Sequence, residues 1–157
     1  MKTTRYRCIS SLLLALAFSI PAAPLWAQPP QNSVAQEGNL YKRLGGYDAI
    51  AAVTDDFIGR LASDPQLKRF FGGISTDSQK RLRGHIVDFL CNATGGPCVY
   101  TGHDMKTAHN GLHITEEDWA ASVKDLNATF DKFKVPEKER NEVLTAISGL
   151  KGDIVGR

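Results

Sequence analysis

The chain has 157 residues, of which 42% are hydrophobic, 23% charged and 8% aromatic. That length suits one globular domain and not two, and the apolar fraction is too high and the charge too balanced for disorder throughout. The formal charge of +2 depends on residues 1–27, where Lys2, Arg5 and Arg7 stand with no acid; the remainder carries 16 Lys and Arg against 17 Asp and Glu, a formal −1. A basic footprint for nucleic acid is thereby excluded.

In chain order, a basic Met1–Arg7 precedes the apolar Cys8–Ile20, and small residues lead to Ala27. This is the order of a secretory signal peptide over residues 1–27. The apolar run is too short for a membrane span, which needs about 20 residues. The expectation is an exported, periplasmic protein with no membrane partner. Residues 28–39 are polar, contain Pro29-Pro30 and read as a flexible leader. One domain follows, over residues 40–157.

Tyr47–Leu61 places Ile50, Val53, Phe57 and Leu61 on one helical face. Asp64-Pro65 breaks that helix and opens a short turn, and Phe70-Phe71-Gly72-Gly73 forms a corner. A second helix spans about Asp77–Asn92, with Leu82, Ile86, Phe89 and Leu90 inward. Thr94–Gly102 reads as a glycine-rich loop, and Asp104–Leu112 as a short helix or a single turn. Thr115 with Asp118 resembles a capping box ahead of a buried stripe of Trp119, Val123, Leu126, Phe130 and Phe133. Pro136 opens the last helix, with Val143, Ile147 and Leu150 inward. No segment alternates as a strand does, so the fold class is all-α.

With Cys8 lost in the signal peptide, Cys91 and Cys98 remain as an even pair in an exported chain, which points to a disulfide. On one continuous helix seven steps span about 10.5 Å, beyond the ~7 Å limit for a bridge. The helix must therefore end between them, at Gly95-Gly96-Pro97. A metal site built from the two cysteines is the competing reading, with no further Cys nearby.

Three of the four histidines, His103, His109 and His113, lie close together, which raises zinc first. His109 and His113 share a helical face, yet no Glu follows His109 and Gly111 ends the helix. No Gly-x-Ser-x-Gly and no phosphate-binding glycine loop is present.

The ordered fragments carry more. Tyr41-Lys42-Arg43-Leu44-Gly45-Gly46, Asp55-Asp56-Phe57, Phe70-Phe71-Gly72, Gly95-Gly96-Pro97 with Tyr100-Thr101-Gly102, Met105-Lys106-Thr107-Ala108-His109 with Gly111-Leu112 and Ile114-Thr115, and Val135-Pro136 follow one another from about Leu40 to Val155. Together they resemble a group I truncated haemoglobin, a two-over-two α-helical sandwich around haem. The resemblance implies a haem b pocket with His109 as proximal iron ligand and Phe71 packed on the haem face. It puts Ile58 at the usual distal tyrosine position, and Leu82 and Ile86 where glutamines often stand. His85 falls where some cyanobacterial members have a sixth iron ligand, and otherwise sits at the haem edge. Lys106 and Tyr100 stand where a propionate contact is expected. His103 and His113 are expected at the surface, Met105 in the core, and Trp119 on the pocket floor.

The resemblance implies reversible binding of a diatomic ligand (O2, NO or CO) by a monomer or weak homodimer. The aliphatic distal trio offers bound dioxygen no hydrogen bond, so ligand binding ranks above NO dioxygenation, and peroxidase turnover lower still. Two rivals are electron transfer with a donor partner through a His109–iron–His85 centre, and a haem-free helical interaction module. The Cys-x-x-Cys-His signature of c-type attachment is absent.

Overall fold

The computed structural model describes residues 38–157, so the expected signal segment 1–27 and the leader up to residue 37 lie outside the described residues. Capping side chains set the element boundaries. Asn39 accepts a bond from the Lys42 amide and opens the single-turn helix α1, Leu40–Arg43. Helix α2, Gly46–Ser63, ends where Asp64 turns extended. The Asp64 Oδ1 then accepts from the Gln66 amide at 2.7 Å and the Leu67 amide at 3.2 Å, which starts a turn leading to a 3-10 segment, Lys68–Phe70. Ser75 caps α3, Thr76–Ala93, and Asp104 caps the one-turn α4, Met105–Ala108. The capping box of Thr115 and Asp118 is formed at the start of α5, Glu116–Lys132. Pro136 precedes α6, Glu137–Ser148. A further turn, α7, Lys151–Ile154, follows the helix expected to be last. The described residues contain no strand.

Helix α2 is the central member, packing on both α3 and α5. Its two neighbours give two small cores. Ile50 meets Val87 and Cys91 of α3, with Tyr41, Ala51, Leu90 and Cys98 around them. Val53 and Phe57 meet Leu126 and Phe130 of α5 and Val143 of α6. The fully buried face of α3 is thus Val87 and Cys91. The expected inner residues Leu82, Ile86 and Phe89 lie beside that face and line a cavity, and Leu90 both packs on the core and lines the cavity. A helix lying against both a neighbour and a cavity needs two apolar stripes, and periodicity marked only one of them.

Ion pairs tie the outer elements to this frame. Arg43 Nε stands 2.9 Å from Glu139 Oε1, and its Nη2 pairs with Glu142, joining α1 to α6. Asp56 of α2 receives Lys132 and the Thr129 hydroxyl of α5, the latter at 3.0 Å, and Arg60 one turn on at 2.7 Å. Asp118 is 1% exposed and takes Gln66 at 2.7 Å and Arg69 at 2.5 Å, holding the 3-10 turn to α5. Burial raises the Asp118 carboxyl, but the bonds from Thr115, Gln66 and Arg69 outweigh it and leave it below the usual carboxylate range. The C-terminal end closes against the segment after α4, with Gly156 N donating to Ile114 O at 2.8 Å and His113 N to Arg157 O.

Cys91 lies in the last turn of α3 and Cys98 in the loop beyond it, their Cα atoms 5.8 Å apart, within reach of a bridge. The turn between them needs glycine for space: a Cβ on Gly96 would stand 2.6 Å from Cys91 Sγ and 2.6 Å from the Tyr41 ring. Gly102 has the same constraint, because a Cβ there would come 2.6 Å from the Tyr100 ring. One member of the α5 stripe departs from expectation. Phe133 caps the helix where the chain turns through Lys134 at φ 53, and it is left 39% exposed at the cavity rim.

Candidate haem site

A cavity of about 670 Å³, open at one side, is bordered by α2, α3, α4, α5, α6 and α7, with a wall that is mostly aliphatic and aromatic. That volume and lining suit a largely apolar group. Phe57 of α2, Leu82, Ile86 and Phe89 of α3, Phe71 of the corner and Trp119 and Val123 of α5 all line it.

The side chain best suited to ligate a metal comes from α4 and its C-cap. Met105, Ala108, His109 and Leu112 share the cavity-facing side of this turn and its continuation. His109 is half-buried at the helix C-cap, and its Nδ1 lies 2.8 Å from the Met105 carbonyl oxygen. A carbonyl only accepts, so Nδ1 carries the proton and Nε2 keeps a lone pair suited to a metal. The turn itself is braced by Asp104, whose Oδ1 accepts from the Thr107 amide at 2.8 Å and Oδ2 from the Thr107 hydroxyl at 2.9 Å. Those bonds hold the Asp104 carboxyl below its ordinary range. Among the described residues no three His, Cys, Asp or Glu side chains gather as metal ligands. A half-buried imidazole on a mostly apolar wall, with no cluster of further ligands beside it, suits a metal whose other ligands arrive with a macrocycle.

The opposite polar edge is built on Tyr100. Its ring packs edge-on against Phe89 at 5.3 Å and His85 at 6.4 Å, and its hydroxyl donates to His103 O at 2.5 Å. Burial, with Asp104 nearby, raises the Tyr100 phenol above its usual value, so it stays a neutral donor. His85 is exposed at this rim, and so is His103, which lines the cavity as well.

Six of the expected pocket residues meet at this cavity: Phe71, Leu82, His85, Ile86, Tyr100 and His109. Two do not. Ile58 lines a separate cavity of about 210 Å³ with Asp55, Thr76, Gln79, Lys80 and Arg83. The cavity-facing positions of α2 are Ile50, Val53, Thr54, Phe57 and Leu61, and Ile58 falls about 100° beyond Phe57 around the helix, so Phe57 takes the wall position. Lys106 is likewise one step off the Met105–Ala108–His109 face and is exposed. Sequence reasoning missed Thr54, which is 0% exposed on the wall with its hydroxyl unpaired. Its signal was a polar residue four steps after Ile50 within the apolar stripe.

Comparisons with known proteins agree with the all-helical fold. A family model described as bacterial-like globin matches residues 39–155. A group 1 truncated haemoglobin from Mycolicibacterium paratuberculosis is 35% identical over 120 residues, 76% of this chain and 86% of the relative. One from Tetrahymena pyriformis is 30% identical, covering 75% of this chain and 95% of the relative. Among solved structures, the Fe(III) form of the Tetrahymena pyriformis truncated haemoglobin superposes with a TM-score of 0.69 at 29% identity, over 76% of this chain and all of that one. The 2/2 haemoglobin from Synechococcus, in the cyanomet state and with covalently attached haem, gives 0.69 at 25% identity, over 76% of this chain and all of that one.

Proposed function

The chain belongs to the bacterial-like globins, with group 1 truncated haemoglobins as its relatives, and from that premise we propose that it is an exported haem b protein that reversibly binds a diatomic gas, dioxygen foremost. The observation that carries the reading is the His109 imidazole, held through Nδ1 by Met105 O with Nε2 left to ligate. When bound, haem supplies an iron that takes O2, NO or CO reversibly. The residues decide how strongly. Phe57, Leu82 and Ile86 line the cavity without a hydrogen-bond donor, so a partly negative dioxygen is held weakly and leaves quickly, while the less polar carbon monoxide is less affected.

NO dioxygenation needs dioxygen retained until NO arrives, so it ranks second to simple binding. Peroxidase turnover needs a paired acid and base, and the wall offers His85 at its rim. The first 27 residues direct export to the periplasm, where Cys91 and Cys98 pair as a disulfide. The functional unit is a monomer or weak homodimer, and a separate electron donor keeps the iron ferrous.

Visible spectra of the mature protein in ferric, dithionite-reduced and CO-bound forms test this reading. The expected result is a Soret band that shifts on reduction and again with CO. A colourless protein after haem reconstitution overturns it in favour of a helical interaction module. Six-coordinate spectra in both oxidation states overturn it in favour of electron transfer.

A further inference from the structure

Asp118 is the acid of the α5 capping box, yet capping uses only part of it. Its Oδ2 accepts from the Thr115 amide at 2.9 Å, which completes the box. The same oxygen takes Arg69 Nη2 at 2.5 Å, and Oδ1 takes Gln66 Nε2 at 2.7 Å. A capping acid needs no burial, since water serves its spare lone pairs. Asp118 is 1% exposed, and a carboxylate withdrawn from water is costly unless other groups satisfy it. The burial therefore serves the contacts beyond the cap.

Those contacts join three stretches of the cavity wall. Gln66 and Arg69 belong to the corner that brings Leu67, Phe70 and Phe71 to the cavity, Thr115 follows Ile114, and Trp119 follows Asp118 itself. The corner is wound onto the carboxylate. Arg69 Nη1 also donates to Gln66 O at 2.5 Å, and the guanidinium stands 4.3 Å from the centre of the Phe70 ring. Beyond Phe71 the chain runs into Gly72-Gly73, and a Cβ on Gly73 would meet nothing within 4 Å, so the corner is braced from the Asp118 side. On the other side, the Leu112 amide donates to His109 O at 3.2 Å, and only a short turn separates His109 from the pinned Thr115.

We infer that Asp118 is a positioning residue for the haem site, one buried carboxylate that sets the Phe71 corner and the His109 turn at a fixed spacing on the cavity wall. It acts through those two residues and not on the gas. Loosening it lets the corner and the turn move independently, so haem retention and the set of the His109 ring change together. The inference rests on the haem reading above and deepens it.

The test uses the haem-loaded protein, comparing Asp118→Asn, Arg69→Met and Arg69→Lys with wild type. Glu139→Gln, which cuts a clamp between α1 and α6, is the control for stability lost elsewhere. Resonance Raman spectra of the ferrous form read the iron–histidine stretch, and transfer to apomyoglobin reads retention. Asp118→Asn is expected to shift or broaden the stretch and to quicken transfer by about three- to tenfold, the scale of a weakened charge-assisted hydrogen bond. Arg69 is half-exposed, so Arg69→Met tests the link without opening the core; it should quicken transfer as well, and Arg69→Lys should restore most of the loss. Glu139→Gln should lower the melting temperature and leave both readouts as in wild type. A lower melting temperature with stretch and transfer unmoved in Asp118→Asn and Arg69→Met overturns the inference and leaves Asp118 a helix cap. Equal changes in Glu139→Gln overturn it too. A wild-type chain that takes up no haem sinks the haem reading and this inference with it, whereas loaded variants indistinguishable from wild type sink the inference alone.

Discussion

Met105 and His109 are joined across one helical turn, carbonyl oxygen to imidazole Nδ1, at 2.8 Å. The bond sets both the tautomer and the ring orientation, which is the usual way a protein prepares a histidine for a metal. The short α4 would be marginal alone. Asp104 caps its N-terminus, and α7 packs on it. His109→Gly is expected to lose the Soret band after reconstitution and to regain it with added imidazole. His113→Ala, which removes an exposed ring, is expected to keep the band. A His109→Gly protein that binds haem as wild type does would remove His109 from the site.

The apolar side chains of Phe57, Leu82 and Ile86 make a kinetic prediction. Leu82→Gln places an amide on the cavity side of α3, where it can donate to a partly negative ligand. Hydrogen bonds to charged groups contribute about 1.5–3 kcal/mol, so dioxygen dissociation is expected to slow by about tenfold or more, with a much smaller change for carbon monoxide. Stopped-flow displacement of O2 by CO reads both. Equal slowing of the two gases would point to a steric barrier.

Much of this site was legible in the sequence, for reasons that can be traced to particular residues. The Thr115–Asp118 box, the Asp64 turn and the break at Gly95-Gly96 are local chemistry, readable without tertiary knowledge. His109 needed the surrounding motif, because an isolated histidine on an apolar face carries no such message. The residues placed elsewhere, Ile58 and Lys106, were each one helical step from the cavity face. A step of about 100° decides between wall and flank, and only the packing of α2 on α3 and α5 fixes the rotation of the helix. Thr54 was hidden for a different reason, since a hydroxyl in an apolar stripe looks like an ordinary helix residue until its partner proves absent.

His85 is exposed at the rim and packs edge-on to Tyr100, ring centroids 6.4 Å apart. That contact favours a role at the haem edge over one beneath the iron. His85→Ala is therefore expected to leave the ferrous spectrum unchanged. Haem transfer to apomyoglobin should quicken by about two- to tenfold, the scale of a lost aromatic contact. A low-spin ferrous spectrum in wild type that turns high-spin in the variant would instead make His85 the sixth ligand.

Asp56 joins α2 to α5 directly behind Phe57. Lys132 and then Arg60 pull its carboxyl down from 3.8 to about 2. Because the folded value lies below the unfolded one, the contribution is fully present above about pH 4 and is lost as pH falls toward 2. Asp56→Asn is expected to lower the melting temperature at neutral pH, and the gap between variant and wild type should close across that acid window. Thermal melts at graded pH check it. A gap that stays constant down to pH 2 would mean that the side chain matters by shape and not by charge.

The Cys91–Cys98 pair bears on the other edge of the cavity. Cys91 is 0% exposed in the core with Ile50 and Val87, and Cys98 packs on the same cluster while Asn92 Nδ2 holds its carbonyl at 3.0 Å. The loop that leaves Cys98 carries Tyr100 and His103 to the rim. A bridge therefore anchors the end of α3 and the start of that loop to one point. Closing so short a loop contributes about 2–3 kcal/mol by its effect on the unfolded chain. Reduction of wild type is expected to lower the unfolding free energy by that scale, read as a lower urea midpoint, and to weaken haem retention at the Tyr100 edge. Cys98→Ser should match reduced wild type and be indifferent to reductant. Cys91→Ser is the poorer test, because it places a hydroxyl in the core and costs stability whether or not a bridge forms. A wild-type midpoint that reductant leaves unmoved would show two free thiols, and would remove the argument that this edge of the site was built for an oxidising compartment.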